Sequence, residues 1–117
     1  MGIRGSDRQI DNIEFNVSDI ARAKAFYGAA FGWTFTDYGP TYCEFTDGRL
    51  TGGLTTLGSP NPGGPLVILY ADDLAAIQAR VEAAGASIVK PVFAFPGGRR
   101  FHFCDPDGYE LAVWSAG

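Results

Sequence analysis

Residues 19–32 and 73–85 are two versions of one segment, and this duplication constrains the fold more than any other feature. DIARAKAFYGAAFG reads against DLAAIQARVEAAG at a nearly constant offset. Asp19 matches Asp73, Ile20 matches Leu74, Tyr27 matches Val81, and Gly32 and Gly85 close the two copies. The flanks extend the match. Ile13-Glu14-Phe15 precedes the first copy as Val67-Ile68-Leu69 precedes the second. Phe45-Thr46-Asp47-Gly48 answers Phe103-Cys104-Asp105 and a turn ending at Gly108. The chain is therefore two copies of one strand–helix–strands unit, and a site is expected between the copies, at paired positions.

Each unit follows from local chemistry. Ile13, Phe15 and Val17 alternate with Asn12, Glu14 and Asn16, the pattern of a strand covered on one face. Ser18-Asp19 supplies a helix N-cap, an apolar stripe runs from Ile20 to Phe31, and Gly32 ends it. Strands are expected near 33–38, 41–46 and 49–57, with turns at Gly39-Pro40 and Asp47-Gly48. The second unit repeats the order. It has a strand over 66–71, a helix capped by Asp72-Asp73, and strands near 86–94, 99–104 and 109–115. Between the units, Ser59 to Pro65 holds three prolines and two glycines and reads as a linker. The expected organisation is a loose arm over 1–9 and one domain over 10–117, with units 10–58 and 66–115 and linker 59–65. A single unit buries too little. Two can set their sheets side by side as an open cup, helices outside and a cleft inside.

At 117 residues the chain suits one domain with one core. Its net charge of −4 and lack of a Lys/Arg cluster argue against nucleic acid. No apolar run reaches membrane-spanning length, and the opening residues lack the apolar core of a signal peptide. Strand alternation puts Cys43 on the face of Phe45, and Cys104 on the face opposite Phe103. Two free thiols are expected, as small buried hydrophobes in a reducing, cytoplasmic setting.

The stretches IEFNVSDIARAKAFYGAAFGW (13–33), LVILYADDLAAIQARVEAAGA (66–86) and DPDGYELAVW (105–114) resemble the vicinal oxygen chelate superfamily of glyoxalases, bleomycin-resistance proteins and extradiol dioxygenases. The resemblance spans nearly the whole chain from about residue 10. It implies an α+β fold of two tandem βαβββ units forming an open, barrel-like mixed sheet, and a homodimer. Metalloenzymes of that superfamily carry one ligand on the first strand and a Glu on the last strand of each unit. Carried over, these positions fall on Asn12, Leu66, Ala112 and Gly52. Such a set cannot hold a divalent ion, so no metal and no cofactor are expected.

The residues themselves suggest what else the cleft presents. Glu14 lies beside Asn12 and Asn16, opposite the apolar stripe. Glu110 shares a strand face with Ala112 and Trp114. Either carboxylate is a candidate general base. His102, the only histidine, shares a face with Arg100 and Cys104 and reads as a polar wall residue or a structural histidine. Glu44 alternates with Cys43 and Phe45, and no flanking pattern assigns its face. The expected ligand-binding set is Asn12, Glu14, Asn16, Leu66, His102, Glu110, Ala112 and Trp114. Plentiful aromatics and overall acidity favour an aromatic or cationic small organic ligand. The leading expectation is a metal-independent binder of the bleomycin-resistance type. The alternative is a lyase, isomerase or dioxygenase-like enzyme with an atypical metal site or a carboxylate base.

Overall fold

A computed structural model describes residues 5–116. The first four residues of the arm expected over 1–9 lie outside the described residues, as does Gly117. The first unit comprises β1 (Asn12–Asn16), α1 (Ile20–Phe31), β2 (Thr34–Asp37), β3 (Tyr42–Thr46) and β4 (Thr51–Thr55). The second comprises β5 (Val67–Tyr70), α2 (Leu74–Ala83), β6 (Ser87–Phe95), β7 (Gly98–Cys104) and β8 (Glu110–Ser115). The duplicated caps act as the sequence implies. Asp19 accepts the Arg22 amide at 3.1 Å, and Asp73 accepts that of Ala76 at 3.0 Å. Gly32 takes a left-handed conformation at φ 71° and closes α1.

The strands form two four-stranded mixed sheets, ordered β1-β4-β3-β2 and β5-β8-β7-β6. In each, the first strand runs parallel to the last and the other neighbours are antiparallel. Among the described residues no ladder joins the two sheets, so β1 and β5 both end as edge strands and the surface is open, not closed into a barrel.

One face of each sheet meets the helices in a single core. In the first sheet that face carries Phe15, Leu54, Cys43 and Phe45, and in the second Phe101, Phe103, Leu111 and Val113. Trp33 lies between Tyr27 and Phe45, with ring centroids 4.5 and 4.4 Å away and interplanar angles of 7° and 12°. Phe26 of α1 reaches Phe103 of the second sheet at 6.1 Å, so α1 packs on both units.

Polar contacts also join the units. Tyr27 Oη donates to buried Asp105 at 2.6 Å. Asp105 also accepts the amides of Asp107 and Tyr109, at 2.9 and 3.0 Å. Asp107 in turn takes hydrogen bonds from Ser18 Oγ (2.7 Å) and Arg22 (2.8 Å). Tyr109 Oη donates to the Asn16 carbonyl at 2.7 Å. The Asp-Pro-Asp-Gly turn of the second unit is thus anchored on the first strand and helix of the first unit.

Among the described residues no helix is long and apolar enough to cross a membrane. Both cysteines are free. Cys43 is buried on the helix side, as expected. Cys104 is only half-buried, because its strand face is the one the helices leave uncovered. Burial and then the hydrogen bond with Asp37 push the Cys43 thiol up to about 11. Burial, helped by Glu110 and Asp105, also raises the Cys104 thiol. Neither is a ready thiolate.

Candidate functional site

The faces turned away from the helices are the uncovered ones, and their register defines the candidate site. On the first sheet, Glu14 of β1, Gly53 of β4 and Glu44 of β3 lie in one row. The glutamates are two strand spacings apart, about 10 Å at the backbone. The Tyr42 ring lies over Gly53, where a Cβ would collide with the phenol oxygen. Burial first, then Glu14 and Glu44, raise the Tyr42 phenol above its ordinary value. Asn12 and Asn16 occupy the flanking rows. This face is acidic and polar, and Glu44 belongs to it because Cys43 and Phe45 face the helices.

The open face of the second sheet has a different chemistry. One row runs Ile68, Ala112, His102, Lys90, and the next Tyr70, Trp114, Arg100, Phe93. Trp114 meets Tyr70 edge-on at 5.0 Å and Phe95 at 6.1 Å. Ile68 and Tyr70 are 45% and 53% exposed, a large apolar presence beside an unpaired edge strand. His102, only 2% exposed, holds Glu110 through Nδ1 at 2.7 Å. Its Nε2 is buried without a partner among the described residues. Phe93 packs 5.8 Å from the imidazole.

The structure therefore brings Asn12, Glu14 and Asn16 together on one sheet, and His102, Glu110, Ala112 and Trp114 on the other. Leu66 precedes β5 and lines a groove of about 1040 Å³ between the units, whose walls include Trp33, Arg49, Arg80 and Trp114. Of the expected ligand-binding set, only Leu66 and Trp114 reach this groove. The two glutamate candidates for a base sit on different sheets.

Sequence reasoning missed Tyr70, Phe93, Phe95 and the setting of Arg100. It also placed Gly52 at a cleft position. Gly52 pairs with Ile13 and Phe45 on the helix side, where a Cβ would collide with the Ile13 carbonyl and the Phe45 ring. The counterpart of Ala112 is Gly53, since Glu14 pairs with Gly53 as Ile68 pairs with Ala112.

Two mixed sheets, each from a strand–helix–three-strand unit, define the class: a paired βαβββ protein with uncovered sheet faces. The chain belongs to the glyoxalase/bleomycin resistance protein/dioxygenase superfamily, whose sequence profile matches residues 9–113. Among curated proteins it is similar to CFP32 of Mycobacterium tuberculosis (strain CDC 1551 / Oshkosh), a candidate glyoxylase, at 27% identity over 89% of this chain. The alignment covers 44% of CFP32, so the chain spans less than half the length of that relative. A glyoxalase-related enzyme from Fulvimarina pelagi superposes with a TM-score of 0.80 at 21% identity, covering 92% of this chain and 88% of that one. TnmS3, an antibiotic binding protein from Streptomyces sp. CB03234, superposes at 0.75 with 24% identity, over 100% and 99% of the two chains. At these identities the structural likeness concerns the fold, which hosts both enzymes and binders.

The metal that the superfamily implies does not fit this chain. The four positions, with Gly53 taking the place of Gly52, are Asn12, Gly53, Leu66 and Ala112, which together offer one amide oxygen. Among the described residues no group of three or more His, Cys, Asp or Glu stands close enough to share an ion.

Proposed function

We propose that the protein binds a small aromatic molecule, without a metal, between the open face of the first sheet and the open face of the second sheet of another copy. The observation that carries this reading is the exposed aromatic surface around Trp114, set beside the unpaired strand β5. Within one chain both helix-covered faces share the core, so the two open faces point away from it and cannot close on each other. Their charges are complementary, with Glu14 and Glu44 on one and Arg100 and Lys90 on the other. A homodimer that sets these faces opposite each other would enclose a cleft. The antibiotic-binding TnmS3 supports the choice of a binder. Two cysteines that form no disulfide suit a reducing cytoplasm.

Binding is tested by substitution on each face. Trp114→Ala should weaken an aromatic ligand by about 1–3 kcal/mol in calorimetric titration. Glu14→Gln should alter affinity while leaving stability within about 0.5 kcal/mol, because Glu14 is exposed. Unchanged binding in both would remove the site from these faces. Elemental analysis after dialysis against zinc, nickel and manganese should find well under one ion per chain, and one tightly held ion would contradict the metal-free reading.

A second reading, an enzyme with a carboxylate-assisted base, has one observation in its favour. Glu110 fixes His102 through Nδ1 and leaves Nε2 unused, an arrangement that orients an imidazole for proton transfer. Glu110 would then act through His102, not as a lone base. His102→Gln would abolish turnover under this reading, and would alter affinity alone under the first.

A further inference from the structure

We propose that Arg100 anchors an anion subsite on the open face of β7 and β8, and that the ligand is a flat aromatic molecule bearing a carboxylate or phenolate. The proposal rests on the binding reading above and gives it a chemical class.

A cavity of about 270 Å³ lies on this face, lined by Ile68, Phe95, Arg100 and Trp114. Its walls are aliphatic, phenyl and indole, and Arg100 is its one charged group. The guanidinium carbon lies 5.4 Å from the Phe93 ring centroid and 5.6 Å from that of Phe95. Two rings thus hold the cation by cation–π attraction and strip part of its water. The Arg100 Nε is buried and has no hydrogen-bond partner among the described residues, nor does any carboxylate there pair with Arg100. A guanidinium presents a planar fork that matches a carboxylate. Glu110, the acid on this face of β8, is engaged by His102. Lys90 stands across from His102 and adds positive charge.

The clamp depends on an irregular edge. Pairing between β6 and β7 shifts between Ile88 and Lys90, and again between Lys90 and Phe93. Strict alternation from Ile88, which faces the core opposite Phe103, would turn Lys90 inward. The shifts instead put Lys90 opposite His102 and Phe93 opposite Arg100, with Phe95 following on the same face. Bulges commonly re-aim side chains in this way beside functional sites. The acidity of the whole chain opposes an anion at long range, so the preference must arise from this local arrangement.

Calorimetric titration of the full-length protein with 2-naphthoate, 2-naphthamide and 2-naphthylmethylammonium tests the proposal, because the three share a ring and differ in charge. The acid should bind about tenfold or more tightly than the amide, and the ammonium most weakly. In Arg100→Gln the acid-to-amide ratio should fall to about one, and Arg100→Lys should keep part of it, since lysine retains the charge but not the fork. The wild-type series needs no folded variant. Equal affinity for acid and amide, or a preference for the ammonium, overturns the anion subsite and leaves the binding reading standing. Failure of all three to bind overturns both. A dimer that dissociates in Arg100→Gln with its acid preference intact assigns Arg100 to the subunit contact and overturns the subsite.

Discussion

Replacing Trp33 by alanine should destabilise the fold by about 3–5 kcal/mol and lower the melting temperature by roughly 12–20 °C. The indole is 7% exposed and stacked between Tyr27 and Phe45, so no neighbour can fill the space without abandoning its own packing. Chemical denaturation of the two tryptophan variants checks the contrast. Trp114 lies on an uncovered face, and its removal should act mainly on ligand affinity. Loss of binding alone from Trp33→Ala, with loss of stability alone from Trp114→Ala, would mean that the faces of the second sheet are reversed.

The second large effect is expected at Asp105. Asp105→Ala leaves the Tyr27 hydroxyl and the Asp107 and Tyr109 amides without their acceptor, and the turn carries Asp107 and Tyr109 contacts to the first unit. The cost should be on the order of 3 kcal/mol. Asp105→Asn keeps an oxygen for the two amides and should cost far less. It should also change the pH dependence. Burial raises the Asp105 carboxyl above 3.8, and the hydrogen bonds from Tyr27 and the backbone only partly oppose this. The folded state therefore binds this proton more readily than the unfolded chain. Its contribution makes stability fall as pH rises from about 3.8 through the raised folded value. Denaturant melts between these limits should show that component in the wild type and not in Asp105→Asn. An identical slope in both proteins would assign the pH dependence elsewhere.

Much of the fold was legible because it is written twice. Asp19 and Asp73 cap helices in both copies, and alternation at Ile13, Phe15 and Val17 assigned the covered face of β1. The same alternation set Trp114 on the face of Glu110 and Ala112. Glycine defeated it at β4, since neither Gly52 nor Gly53 has a side chain to show its face. The repeat also had to absorb a longer turn in the second unit, Asp105 to Gly108 against Asp47-Gly48, and slipped by one residue there. Lys90, Phe93 and Phe95 were illegible for another reason. Two register shifts, on an edge strand that carries Pro91, reverse the alternation that assigns faces. Nor does local pattern show whether two sheets share an edge, because that depends on how α1 and α2 pack together in the core.

A crystal structure grown with 2-naphthoate tests the central claim most directly. The account predicts the ring against Trp114, its carboxylate on Arg100, and the Glu14–Tyr42 face of a second copy across the cleft. A ligand held instead in the groove between Trp33 and Arg80, or a stoichiometric metal ion bound on either open face, would contradict it.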